Sequence, residues 1–207
     1  MSLNLLDSVK RLFNSEIVSK AAISLGESES GISKAISGVV PSVLSSIVAK
    51  ATSGEHGATN ILQLAKDAAG SDVLDSMGGL FNNNGKNSFL SAGFDTLKSL
   101  FGDKLTSVIH SIAGFAGIQT SSASALLSGV APAALAVVGQ HAITNNISAS
   151  GLVQSLENSK GQILSALPLS LGSIPGLLGL SNATNSLSGT AKQATSAAAA
   201  YVKGAED

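Results

Sequence analysis

The sequence predicts an all-α protein, on three observations. Apolar residues recur at steps of three and four along most of the chain. No stretch alternates apolar and polar residues long enough to demand a strand. Glycine follows the apolar runs and Ser or Thr precedes the next ones, which is how helices end and begin.

Taken in chain order, the first two helices are expected over Leu5–Phe13 and Glu16–Leu25. Gly26 then supplies the left-handed residue that closes a helix, and Ser28 or Ser30 caps the next. That helix carries Ile32, Ile36, Val39, Val40, Val43, Leu44, Ile47 and Val48 on steps of three and four. Further helices are expected over Thr59–Ala69, Thr96–Phe101 and Leu105–Ala116, the last closed by Gly117. Thr120 or Ser121 then caps a run containing Leu127, Val130, Ala131, Ala134, Leu135 and Val138. A helix over Ala149–Glu157 follows. The Ala-rich tail can add one over Thr190–Lys203, too poor in apolar area to hold by itself.

Two of these helices contain an unusual residue. "SGVVPSVLSSI" (Ser37–Ile47) and "SGVAPAALAVV" (Ser128–Val138) each place a proline within an apolar run. Proline removes one backbone donor and presses on the carbonyl four residues back, costing about 3 kcal/mol in a regular helix interior. Gly38 and Gly129 lie at that upstream turn, where a missing side chain relieves the clash. The pairs Gly38–Pro41 and Gly129–Pro132 therefore predict a structural kink, or the end of one helix and the start of another.

Pro132 follows Pro41 by 91 residues, and the offset extends beyond the prolines. Gly26 matches Gly117, Leu44 matches Leu135, and Gln63 matches Gln154. Upstream, "VKRLF" (Val9–Phe13) matches "LKSLF" (Leu97–Phe101) at an offset of 88. Two tandem copies of one small helical unit follow, about Asn4–Phe81 and Phe89–Leu171. The domains are then 1–81, a polar linker at 82–88 containing "NNNGKN", a second unit at 89–180, and a low-complexity tail at 181–207.

Hydrophobic residues make up 44% of the chain and charged ones 12%, about half the usual share, so most of it is expected to fold. A net charge of −1 offers no electrostatic footprint for nucleic acid. With no cysteine, disulfides and thiolate metal sites are excluded. "MSLNLLDSVKRLF" lacks the apolar core of a secretory signal, so a cytoplasmic location is expected.

No catalytic or cofactor pattern emerges. The histidines His56, His110 and His141 correspond across the copies to Ile147, Ser19 and Lys50, which argues against a shared metal site. "GGLFNNNGK" (Gly78–Lys86) lacks phosphate-loop spacing, and no serine sits in a nucleophile elbow. Asp72 and Asp75 correspond to Ile163 and Ala166, which fits a solvated helix end better than acid–base work. The expectation is no cofactor, no metal and no enzymatic activity.

Charge is unevenly distributed. No Asp, Glu, Lys or Arg occurs from Leu105 to Leu156, nor from Gly161 to Ala191. Glu16, Lys20, Lys34 and Glu55 correspond to Ser107, Ser111, Ala125 and Asn146 in the second copy. Interface cores are depleted of charge, so these four mark a candidate interaction surface. Three explanations compete: the second copy packs broadly on the first, assembles with other chains, or meets lipid. The lipid candidate is "ILSALPLSLGSIPGLLGL" (Ile163–Leu180), long enough to span but interrupted by Pro168 and Pro175, which favours a buried loop with short helices.

"SLGESESGISKAISGVVPSVLSSI" (Ser24–Ile47) and "FAGIQTSSASALLSGVAPAALAVV" (Phe115–Val138) resemble the YidB-like bacterial family, the domain of unknown function 937. Val39-Val40 and Val130-Ala131 stand where that family's pattern has leucines before proline. The resemblance implies a helical fold and supplies no activity or catalytic residues. The leading functional expectation is a non-enzymatic structural protein forming a homo-oligomer or docking a protein partner through the uncharged second copy. Membrane contact through Ile163–Leu180, and a binding module for a small apolar ligand, are the alternatives.

Overall fold

The computed structural model describes residues 5–54, 56–71 and 86–180, with side chains from Gly93 onward in the third stretch. Every regular element in them is helical. The helices are α1 (Leu5–Leu12), α2 (Ser15–Leu25), α3 (Glu29–Ala51), α4 (Gly57–Gly70), α5 (Lys86–Phe101), α6 (Leu105–Ala116), α7 (Thr120–Thr144), α8 (Ala149–Ser165) and α9 (Ser173–Leu177). A 3-10 turn at Gly102–Lys104 joins α5 to α6, and another at Leu169–Leu171 precedes α9. The expected tail helix, the Asp72/Asp75 pair, Glu55 and linker residues 82–85 lie outside the described residues.

Local chemistry places most helix ends. Asn14 Oδ1 accepts from the Ile17 amide at 3.0 Å, and Ser28 Oγ accepts from the Gly31 amide at 3.1 Å, so each fills an orphan donor. Ser148 does the same for Gly151 at 3.3 Å. Gly26 (φ 69°) and Gly117 (φ 72°) close α2 and α6 in the left-handed conformation, as expected. In each case the next amide also reaches back: Glu27 to the Ala22 carbonyl, and Ile118 to that of Ala113.

Three boundaries differ from expectation. Thr120 and Ser121 do not cap α7. Its N-cap is Gln119, without a side-chain bond, and the Gln119 amide instead donates to Glu27 Oε1 at 2.8 Å. That carboxylate comes from 92 residues away and lies at the positive end of the α7 dipole. Helix α5 begins at Lys86, ten residues before the expected Thr96, and takes in the last residues of the expected linker. Helix α8 continues past Glu157 to Ser165, because Leu152, Leu156, Ser159 and Ile163 form one buried stripe through its polar middle. Of the two readings of the prolines, the one in which they end a helix is excluded: α3 and α7 are continuous through Pro41 and Pro132.

Helices α3 and α7 cross at the centre, and both are buried along most of their length. The outer helices are shared between the halves. Helix α4 lies chiefly on α7, and far less on its sequence neighbour α3. Helix α8 lies chiefly on α3, while α6 touches both central helices and α5 covers α7. The buried side chains of residues 5–71 and 93–180 therefore form one contiguous core instead of one each.

Small residues set the closest approaches. A Cβ at Gly139 of α7 would lie 1.9 Å from the Ala65 carbonyl oxygen of α4. A Cβ at Gly93 of α5 would lie 2.0 Å from the Ser128 carbonyl oxygen of α7. Ser128 is the residue whose carbonyl loses its helical donor to Pro132. Glycine thus lets α5 approach the backbone where the ladder is open, a geometry suited to a weak Cα–H···O contact.

Candidate functional site

The charge-free stretches divide into a buried part and an exposed part. From Leu126 to Ala136 every residue of α7 is buried, so its lack of charge follows from its central position. Of the three explanations for charge loss, broad packing between the halves accounts for α7. What remains is an outer face built from α6 and residues 161–180.

On α6, Leu105, Val108, Ile112, Ala113 and Ala116 point inward. The same periodicity leaves Thr106, Ser107, His110 and Gly114 outside, with Ile109, Ser111 and Phe115 half-buried. The Ser111 hydroxyl folds back to donate to the Ser107 carbonyl at 2.8 Å, leaving that surface without a projecting polar group at 111. The Leu169–Leu171 turn packs against α6. Leu171 and the Phe115 ring meet over Gly38 of α3, where an added Cβ would lie 2.6 Å from Leu171 Cδ1 and 3.3 Å from the ring. Lys34 stands at the edge of this face, its Nζ 5.0 Å from the Phe115 ring centroid.

Residues 163–180 do not form one long helix. Ile163, Leu167, Leu171, Ile174, Pro175 and Leu180 anchor a broken segment to the core. Between the anchors, Leu169 is 97% exposed and Leu177 37% exposed. Among the described residues, two helices are apolar and long enough to cross a membrane, α3 and α7, and both are mostly buried in the core.

The four residues read from the sequence as an interaction surface do not form one patch. Ser107 is exposed and Ser111 half-buried on the same face of α6. Ala125 is half-buried near the start of α7, and Asn146, exposed with φ 48°, follows its end. These two are about 30 Å apart along the helix axis. Sequence reasoning missed Leu169, because isolated leucines in a Pro- and Gly-broken segment give no sign of which ones face outward.

The histidines do not converge. His56 precedes α4, His110 is exposed on α6, and His141 Nδ1 pairs with Asn145 Nδ2 at 3.0 Å near the end of α7. Among the described residues, no three His, Asp or Glu side chains come together as metal ligands could. A cleft of ≈ 540 Å³ opens between the α3–α4 junction and α5, lined by Lys50, His56, Asn60, Ile61, Gln63 and Ser99 among others. Gln63 Nε2 donates to Asp67 at 2.8 Å. Nothing in the sequence flagged this cleft, since Lys50 and Ser99 come from different halves. Its lining presents the Lys50 cation, the His56 imidazole, the Asn60 and Gln63 amides and two hydroxyls, of which Ser53 donates to the Lys50 carbonyl and Ser99 to that of Asp95.

One family model matches the chain, described as a bacterial protein of unknown function (DUF937), over residues 7–141. The match starts in α1 and ends near the last turn of α7, so it takes in helices from both halves. No curated protein matches the chain. No solved structure matches it either.

Proposed function

The chain belongs to the bacterial DUF937 family, and from that premise we propose that it is a non-enzymatic structural protein that associates with further copies of itself through its charge-free outer face. One observation carries the reading. Leu169 is 97% exposed within a surface from α6 and residues 161–180 that contains no Asp, Glu, Lys or Arg. Single exposed leucines are ordinary, but a projecting leucine in a charge-free surroundings matches the composition of interface centres. Burying Leu169 contributes about 1.5–3 kcal/mol, roughly a tenfold to hundredfold change in a dissociation constant.

We also read the chain as two copies of one unit. The left-handed glycines at 26 and 117 and the long proline-containing helices α3 and α7 support this. So does the order of elements, with one further helix after each, α4 after α3 and α8 after α7. On this reading the second copy has exchanged surface charge for contact, Ser107 and Ser111 replacing the Glu16–Lys20 pair.

Analytical ultracentrifugation across protein concentration and salt tests the proposal. Wild type is expected to self-associate, and Leu169→Glu with Leu177→Glu to shift it to monomer with its helicity unchanged. A wild-type chain that stays monomeric throughout would overturn it. Vesicle flotation separates the membrane reading: binding abolished by the same two substitutions would make lipid the occupant of this face.

A further inference from the structure

The cleft between the α3–α4 junction and α5 has a lining that the fold does not require. Its volume, ≈ 540 Å³, lies within the range of about 300–1,000 Å³ usual for small-molecule sites. Buried Ile61 and half-buried Leu64 give it an apolar side. A Cβ at Gly57 would lie 2.2 Å from the Lys50 carbonyl oxygen, so the start of α4 is pressed against the end of α3. That contact fixes the backbone that carries Lys50, His56 and Asn60. The joint between α7 and α8, 91 residues on, is made with His141, Ile147 and Gly151 at the corresponding positions. A joint of this kind therefore forms without the cation or the amide.

We propose that this cleft binds a small organic monocarboxylate with a short aliphatic body. The side chains of Lys50, His56 and Asn60 have no partner within the described residues. All three carry N–H donors: an ammonium, an imidazole in whichever tautomer, and an amide. The Ser53 and Ser99 hydroxyls already donate to the Lys50 and Asp95 carbonyls, at 2.8 and 3.1 Å, so they offer lone pairs only. No Asp or Glu is among the described residues of the lining, and Asp67, which accepts from Gln63 Nε2 at 2.8 Å, lies outside it. One cation matches one negative charge. A phosphate dianion would stay under-neutralised and finds no guanidinium fork here, and an amine would meet Lys50 as a like charge. Ile61 and Leu64 take up the aliphatic end. Lys50 and Asn60 are exposed, so the site is open to water and its affinity for so small a ligand is millimolar.

The inference does not depend on the outer face around Leu169. Its test titrates the isotopically labelled full-length chain with butyrate, butylammonium and inorganic phosphate, each followed through the backbone amides by NMR. Butyrate is expected to give saturable shifts centred on Lys50, Asn60 and Ser99, and butylammonium none there. Lys50→Gln changes an exposed side chain, so the fold is not at stake, and should weaken butyrate about fivefold, the size of an ion pair open to water. Lys66→Gln, at an exposed α4 lysine outside the cleft, should leave the affinity unchanged. Ser99→Phe, at an exposed position of α5, should fill the cleft and abolish binding while the thermal midpoint holds. Absence of saturable butyrate shifts overturns the proposal, as does equal weakening by the two lysine substitutions. Binding that survives in folded Ser99→Phe overturns it too, and so does tighter binding of phosphate or butylammonium than of butyrate at the same amides.

Discussion

Helices α3 and α7 carry the same glycine–proline step, yet the open carbonyl it creates meets different surroundings. In α3 the carbonyl belongs to Ser37, which is half-buried and whose hydroxyl donates to the Lys34 carbonyl at 2.6 Å. In α7 it belongs to Ser128, 3% exposed, directly under Gly93 of α5. The core stretch downstream differs as well. Helix α3 buries Ser42, Ser45 and Ser46 where α7 has Ala133, Ala136 and Val137. Ser42 donates to the Gly38 carbonyl and Ser46 to that of Val43, each at 2.7 Å, while Ser45 Oγ is buried without a partner. Two helices with one pattern thus occupy different roles. Helix α7 accepts two helices at backbone contact, α4 over its own Gly139 and α5 through that helix's Gly93 over Ser128, and α3 buries aliphatic and hydroxyl side chains.

The largest effect is expected at Gly139. Gly139→Ala adds about 1 kcal/mol of helix propensity, but its Cβ cannot coexist with the Ala65 oxygen at 1.9 Å. Because the obstacle is backbone, the halves must separate, and a net loss of about 2 kcal/mol or more is expected in urea unfolding. A stabilised Gly139→Ala would erase the distinction between the two central helices.

Gly93→Ala comes next, with an expected cost of about 1–3 kcal/mol for the same reason. It should couple to Pro132. Pro132→Ala returns an amide to the Ser128 carbonyl and draws the oxygen back toward the helix axis, making room for the new methyl. A double-mutant cycle is expected to show about 1 kcal/mol of coupling between Gly93→Ala and Pro132→Ala, and none between Gly93→Ala and Pro41→Ala. Equal coupling to both prolines would mean that the open carbonyl is not what Gly93 accommodates.

Ser45→Ala makes α3 more like α7 at its counterpart Ala136. Removing a buried hydroxyl with no partner is expected to stabilise the protein by about 1 kcal/mol, read as a raised thermal midpoint. A loss would show that the hydroxyl is satisfied in solution.

The smallest effect concerns surface charge. Glu16 and Lys20 pair at 2.7 Å on α2, and the hydrogen bond and charge of Lys20 hold the Glu16 carboxyl below its ordinary pKa. A lowered folded-state pKa makes this contribution fully present above the unfolded carboxylate pKa and lost as pH falls through the folded one. Ser107→Glu with Ser111→Lys should install the same pair on α6, stabilising the helix by about 0.3–0.5 kcal/mol at neutral pH and losing that gain under acid. Sedimentation should show weaker self-association. Unchanged association would remove α6 from the proposed face.

The sequence by itself determined the helical class and most helix ends, because caps and left-handed glycines act within a few residues. Leu105–Ala116 was legible to the residue, and so were the closures at Gly26 and Gly117. Only the tertiary structure decided where α5 starts and how far α8 runs, since both depend on docking that carries each helix through weak local signals. It also decided the cap of α7, where a Glu27 carboxylate arrives from another loop. The candidate face was half legible. Charge loss is visible in sequence, but burial and exposure leave the same trace in composition. Which charge-free residues became core, as in α7, and which stayed outside, as Leu169 did, was settled by which helices came to lie on one another. That depends on backbone approaches at Gly93 and Gly139 between segments far apart in the chain, which no local pattern records.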